Sequence, residues 1–294
     1  MEKPTVGFIG LGLLGLPMAR ALARAGFPLR VYNRSPEKAA SVEALGALRV
    51  DTPRETAEGG IVVTVVADDR ALLEVTTGEN GFLGSLGPGG VHVSCSTIAP
   101  STALELARRH AERGEQYLGT PVFGRGDAAE AGALRICISG PAEAKARARP
   151  VLEALGQAIF DFGEEAQAAN VVKLAGNFLI ASAVEAMAEA FTMAEKNGVS
   201  RQAIHDMMSQ TLFACPIYQN YGRMIAQHDY TPPGFYLPLG LKDVQLFANV
   251  GYESRVPTPL AGIVRDRMLA SLAKGREEMD WTSFALEVSE SAGL

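Results

Sequence analysis

Residues 4–25 read PTVGFIGLGLLGLPMARALARA. The opening PTVGFI is short and apolar, as a buried strand should be. From Ala19 the chain runs on as Ala-Arg-Ala-Leu-Ala-Arg, at the spacing of an amphipathic helix. Between them stands Gly10-Leu11-Gly12-Leu13-Leu14-Gly15, the pattern G-x-G-x-x-G at a strand-to-helix turn. In that setting the first glycine makes the tight turn and the second lets the backbone approach a pyrophosphate. The third lets helix and strand pack closely, and the helix N-terminus faces the phosphates. Gly10, Gly12, Leu13, Leu14 and Gly15 are therefore candidate dinucleotide contacts. Lys3 and the apolar run after it could also open a secretory signal. Glycines 7, 10, 12 and 15 and Pro17 within that run favour a turn and a helix instead.

The alternation continues. Residues 29–32 form a second expected strand, and Ser35-Pro36-Glu37-Lys38 starts a helix with Ser as N-cap and Pro in the first turn. Residues 61–66 (IVVTVV) are β-branched and uninterrupted, the texture of a strand covered on both faces. Residues 91–94, 134–139 and 158–162 supply further strands, and a helix runs from about residue 100 to 113. Alternating strands and helices over residues 1–163 predict an α/β, Rossmann-type, doubly wound and mostly parallel sheet. After Gly163 the texture changes to Ala, Glu, Met and Leu. A helix from 164 to about 197 would be about 50 Å long and would enter an all-α domain over 164–294. Its apolar stretch around 174–194 contains Glu185 and Glu189, which would make a bilayer span expensive.

The chain has 294 residues, enough for two domains at about 150 residues each. It is 47% hydrophobic and 20% charged, which excludes a disordered or collagen-like chain. A net charge of −6 gives no reason to expect nucleic acid or an anionic membrane as partner. The three cysteines form no C-x-x-C pair, consistent with a reducing cytoplasmic setting. His92, His110, His205 and His228 lack metal-ligand spacing, so no metal is expected.

The end of the second strand reports on the cofactor. A site for NAD usually places Asp or Glu there to hold the ribose hydroxyls. Here the residues are Asn33-Arg34-Ser35. Arg34 can pair with a 2′-phosphate while Asn33 and Ser35 donate hydrogen bonds, so NADP(H) is expected over NAD(H). Val66, Ala67 and the following Asp68-Asp69 lie on a loop expected to border the same cofactor.

Four ordered blocks now make a family resemblance specific: GFIGLGLLGLPMA at 7–19, SCSTIAPST at 94–102, GTPVFGRGDAAEAGAL at 119–134 and KLAGN at 173–177. With the late pair Lys242-Asp243, the chain resembles the β-hydroxyacid dehydrogenase family along nearly its whole length. These relatives of 6-phosphogluconate dehydrogenase include 3-hydroxyisobutyrate dehydrogenases and glyoxylate/succinic semialdehyde reductases. The resemblance implies hydride transfer between a nicotinamide and a small hydroxyacid or its aldehyde or keto acid. It implies Lys173 as general acid/base, its pKa lowered by partial desolvation and nearby charge, and Asn177 as orienting partner. At i and i+4, both residues also share a helix face. Ser96 and Thr97 match the residues near substrate and nicotinamide, and Lys242 would close over the cofactor. A homodimer or homotetramer is implied as well.

One segment departs from the pattern. Where the family usually shows P-V-S-G-G, this chain has Pro121-Val122-Phe123-Gly124-Arg125. Phe123 removes a hydroxyl that would bind substrate, and Gly124 keeps a backbone N–H for a carboxylate. Arg125 either grips an anionic group or faces solvent, and Phe123 could reshape the pocket for a bulkier substrate. Two alternatives therefore accompany the dehydrogenase reading, an imine reductase and a catalytically silent NADP-binding scaffold. Retention of Lys173 counts against both.

Overall fold

In the computed structural model, which describes residues 3–294, six parallel strands form the first sheet. They are β1 (Val6–Ile9), β2 (Leu29–Tyr32), β3 (Leu48–Arg49), β4 (Ile61–Thr64), β5 (Val91–Ser94) and β6 (Gln116–Gly119). Their spatial order is β3-β2-β1-β4-β5-β6, so the chain reverses direction of travel between β1 and β4. Ligands of open α/β sheets bind beyond the carboxyl ends of the strands at such a switch point. Helices α1 (Gly15–Arg24), α2 (Ala40–Glu43), α3 (Asp69–Thr77), α4 (Pro100–Ala111), α5 (Gly126–Glu130) and α6 (Ala142–Leu155) complete this part. In α1 the buried residues Gly15, Met18, Ala19 and Leu22 fall at i, i+3, i+4 and i+7, one stripe facing the core. The expected Rossmann-type architecture is present.

Strands near 134 and 158 do not extend that sheet. β7 (Val122–Phe123), β8 (Leu134–Ile138) and β9 (Gly156–Asp161) make a second, three-stranded sheet. Only Thr120 and Pro121 separate β6 from β7, far too few for the crossover a parallel neighbour needs. β7 therefore leaves the first sheet and pairs antiparallel with β8, which pairs parallel with β9.

The chain divides into two compact units, the first ending at Lys173 and the second starting at Leu174. The division lies inside α7 (Ala168–Lys196). The second unit is helical, with α8 (Arg201–Gln210), α9 (Pro216–Gln227), α10 (Leu237–Glu253), α11 (Pro259–Ala273) and α12 (Ala285–Ser291). By length and composition α7 could cross a membrane. Here Ala181, Val184, Ala188 and Phe191 pack into the helical core with Leu237, Val264, Met268 and Trp281. Glu185, buried on the same helix, accepts a 2.9 Å hydrogen bond from Arg267 Nε. Burial pushes its carboxyl upward and Arg267 opposes that shift.

A buried polar chain crosses the first unit. Thr64 Oγ1 lies 2.9 Å from His92 Nε2, His92 Nδ1 lies 3.0 Å from His110 Nε2, and His110 Nδ1 lies 2.8 Å from Glu115 Oε2. Glu115 Oε1 accepts the Leu86 N–H at 2.9 Å. Phe82 and Tyr117 pack edge-on against His92. Burial, with His110 beside it, holds His92 well below the usual histidine range. Below about pH 6.5 the unfolded chain takes up a proton that native His92 refuses. This stabilising contribution is therefore complete above that pH and lost as pH falls below it. The unfolding free energy from urea titrations should drop between about pH 7 and 5.5, with a slope of up to about 1.4 kcal/mol per pH unit from this one group. A His92→Gln variant should be less stable at neutral pH and show a shallower acid slope. Equal slopes in the two proteins would contradict the assignment.

Candidate active site

The glycine-rich turn is built by close backbone approach. At Gly10, whose φ is +99°, a Cβ would lie 2.1 Å from the Val65 carbonyl oxygen. At Gly15 it would lie 2.0 Å from the Gly10 carbonyl oxygen, whereas at Gly12 it would meet nothing within 4 Å. Packing thus demands the first and third glycines, and the second borders open space. Leu14 stands at the N-cap of α1 without a capping side-chain hydrogen bond, and the first turn contains no acidic residue. The N–H groups and positive end of α1 thus face no carboxylate from its own first turn, a condition that suits a pyrophosphate. Leu13 is about half exposed beside them, at 49%.

Asn33 braces this turn. Its Oδ1 accepts the Leu11 N–H at 2.8 Å and its Nδ2 donates to the Ser35 carbonyl at 2.9 Å. Its amide thereby ties β2 to the loop. Arg34 follows it in the chain and is exposed, and Ser35 is half-buried.

The loops after β4 and β5 are tied together in the same way. Ser96, buried, accepts the Val66 N–H on Oγ at 2.9 Å. Asp68 caps α3 through Ala71 N–H, and Asp69 Oδ1 accepts Ala99 N–H at 2.9 Å. Ala67 is exposed and Thr97 half-buried. The Asp68-Asp69 pair is thus a loop brace. Cys95 is buried 3.4 Å from Thr120 Oγ1, and burial pushes its thiol up to about 12, so it is a packing residue.

Lys173 is placed by the start of α7. Ser139 Oγ donates to the Ala166 carbonyl and accepts the Ala169 N–H, both at 3.0 Å. A Cβ on Gly119 would lie 2.7 Å from the Ala166 carbonyl oxygen, so only glycine lets the helix come this near. Lys173 follows Ala169 by one turn and is half-buried, with Nζ 4.1 Å from the centre of the Phe123 ring. Asn170, one turn before Lys173, is 1% exposed, and its amide makes no hydrogen bond within the protein. Gly124 has φ +138°, and a Cβ there would lie 2.6 Å from Leu134 Cδ2. Arg125 is half-buried at the start of α5.

In the helical unit, buried Asn177 donates from Nδ2 to Asp243 Oδ2 at 2.6 Å. Lys242 Nζ lies 3.0 Å from the other carboxylate oxygen. Asp243 therefore holds two of the candidate residues at once. The K-D pair was visible in the sequence, but only the buried contact reveals what the aspartate does. No group of three or more His, Cys, Asp or Glu side chains that could hold a metal occurs among the described residues.

Residues 5–163 match the family described as the NAD-binding domain of 6-phosphogluconate dehydrogenase. Residues 167–286 match that described as NAD-binding of NADP-dependent 3-hydroxyisobutyrate dehydrogenase. The chain belongs to the β-hydroxyacid dehydrogenase family. Among its relatives, an uncharacterised oxidoreductase of Bacillus subtilis is 42% identical, over 95% of this chain and 97% of the relative. The 3-hydroxyisobutyrate dehydrogenase of Pseudomonas aeruginosa is 31% identical, over 89% and 90%. A solved 3-hydroxyisobutyrate dehydrogenase from Salmonella typhimurium superimposes with a TM-score of 0.88 at 25% identity, covering 96% of this chain and 99% of its own. This β-hydroxyacid dehydrogenase is accordingly an NAD(P)-dependent oxidoreductase acting on CH–OH groups.

Proposed function

We propose that the enzyme interconverts a small hydroxyacid and its aldehyde or keto acid with NADP(H), using Lys173 as general acid/base. A bound nicotinamide would supply the hydride for reduction or accept it in oxidation. Lys173 passes a proton to the carbonyl oxygen during reduction and takes it from the hydroxyl during oxidation. Asn177, fixed by Asp243, orients the substrate. Ser96, the Gly124 N–H and Arg125 are the groups for the substrate's polar end, and Phe123 supplies an apolar wall. The observation that carries this reading is the lysine itself. It is half-buried on α7, whose first turn is stapled to the sheet by Ser139.

The preference for NADP(H) rests on Arg34. It is an exposed guanidinium next to the residue that braces the glycine turn, and no carboxylate stands at 33–35. A homodimer or homotetramer is supported by apolar side chains left exposed on α7, with Leu179 66% and Met193 60% accessible.

Rates measured with NADPH against aldehyde acids, keto acids and a cyclic imine, and in reverse with 3-hydroxy acids, test the reaction. Lys173→Ala should lower kcat/KM for the acids by about 10²–10⁴-fold; unchanged turnover would reject the lysine mechanism, and turnover of the imine alone would reject the substrate class. Arg34→Ala should weaken NADPH binding by about 1.5–3 kcal/mol and leave NADH nearly unaffected. Equal losses for the two cofactors would remove the argument for NADP(H). Sedimentation equilibrium at micromolar concentration should give a dimer or tetramer, and a monomer would overturn the assembly.

A further inference from the structure

Phe123 stands where the sequence departs from the P-V-S-G-G pattern usual in the family, and its ring lies against Lys173. β7 pairs antiparallel with β8 so that Phe123 lies opposite Arg135. Residues directly opposite in such a pair share a sheet face, and Cys137, two residues beyond Arg135, shares it too. Lys173 lies over this face. Its Nζ is 4.1 Å from the Phe123 ring centre, and its charge partly offsets the upward push of burial on the Cys137 thiol. Neither partner is loosely placed. Phe123 is set by the β7–β8 ladder, and the backbone of α7 is set by Ser139 at Ala166 and Ala169.

We infer that Phe123 is a positioning residue for Lys173, its ring face holding the Nζ ammonium in place and favouring the charged form. The attraction is that of a cation for the negative face of an aromatic ring, and it strengthens as water is excluded. It has a chemical advantage over a hydroxyl at this position. A ring attracts the ammonium without acting as a conventional hydrogen-bond acceptor, so it does not compete for the proton that is to reach the substrate oxygen. The charged lysine is the acid required for reduction. Losing the ring would move the lysine's titration to lower pH, and the pH limits of both directions would move with it.

The inference rests on Lys173 being the acid/base, so the experiment separates the two. Phe123→Leu and Phe123→Met remove the ring, the latter with similar bulk, and Phe123→Tyr keeps it. Two readouts are compared across these variants and wild type, and Lys173→Ala is assayed for rate alone. One is the pH dependence of kcat/KM for NADPH-dependent reduction of a small aldehyde acid. The other is competitive labelling of the Lys173 amine with acetic anhydride across pH, read by mass spectrometry, which needs no turnover. Both ringless variants should titrate lower by roughly half to one pH unit in labelling and in the rate profile, and Phe123→Tyr should track wild type. An unshifted labelling curve in a folded ringless variant would overturn the inference, as would a shift of the same size in Phe123→Tyr. A shifted labelling curve with Lys173→Ala still fully active would keep the contact and reject the acid/base reading.

Discussion

Two backbone contacts set the geometry on which the rest of the first unit depends, Gly10 against the Val65 carbonyl and Gly15 against the Gly10 carbonyl. Any side chain at either position would push α1 away from β1 and β4 by ångströms, because the obstacle is backbone and cannot turn aside. Helix α1 carries Met18, Ala19 and Leu22 into the main core, so the same contact that shapes the turn also sets how that core closes. Close packing transmits such a displacement instead of absorbing it. Shape for a ligand and stability of the fold are here one constraint.

Side-chain braces then fix the loops that the glycines start. Asn33, Ser96, Asp69 and Ser139 each join segments far apart in sequence by a hydrogen bond to backbone. Each contributes modestly, about 0.5–1.5 kcal/mol net for the neutral bonds and about 1.5–3 kcal/mol for the one accepted by the Asp69 carboxylate. Their effect is geometric, because each removes a torsional freedom from a strand end or helix start beside the candidate site.

What could be read from the sequence follows the same division. Strands at 29–32 and 91–94 were legible to the residue, since short segments with apolar residues at alternate positions are bounded by turn-forming neighbours. The G-x-G-x-x-G turn was legible because its physics is backbone physics written as glycine. β3 escaped because Leu48 and Arg49 are both exposed and leave no hydrophobic pattern. The second sheet escaped because periodicity identifies strands but not their partners; that choice was made by a two-residue connection. Ser139 looks like any other serine until folding brings a helix to it, and Asp243, visible as half of a K-D pair, shows its role only once Asn177 reaches it. Phe123 was visible only as a departure from its relatives, and its lysine partner is fifty residues away in the chain.

The Thr64–His92–His110–Glu115 chain has a consequence for how this sequence can drift. Each member satisfies its neighbour, so replacing one by an apolar residue strands a buried donor or acceptor on the next. Replacing all of them together with well-packed apolar residues would remove the mutual stranding and leave the Leu86 N–H, which Glu115 accepts, to find another partner. The intermediates are the obstacle: two favourable end states are separated by a valley of destabilised single substitutions. Exchange at these four positions should therefore occur as a correlated set across evolutionary time.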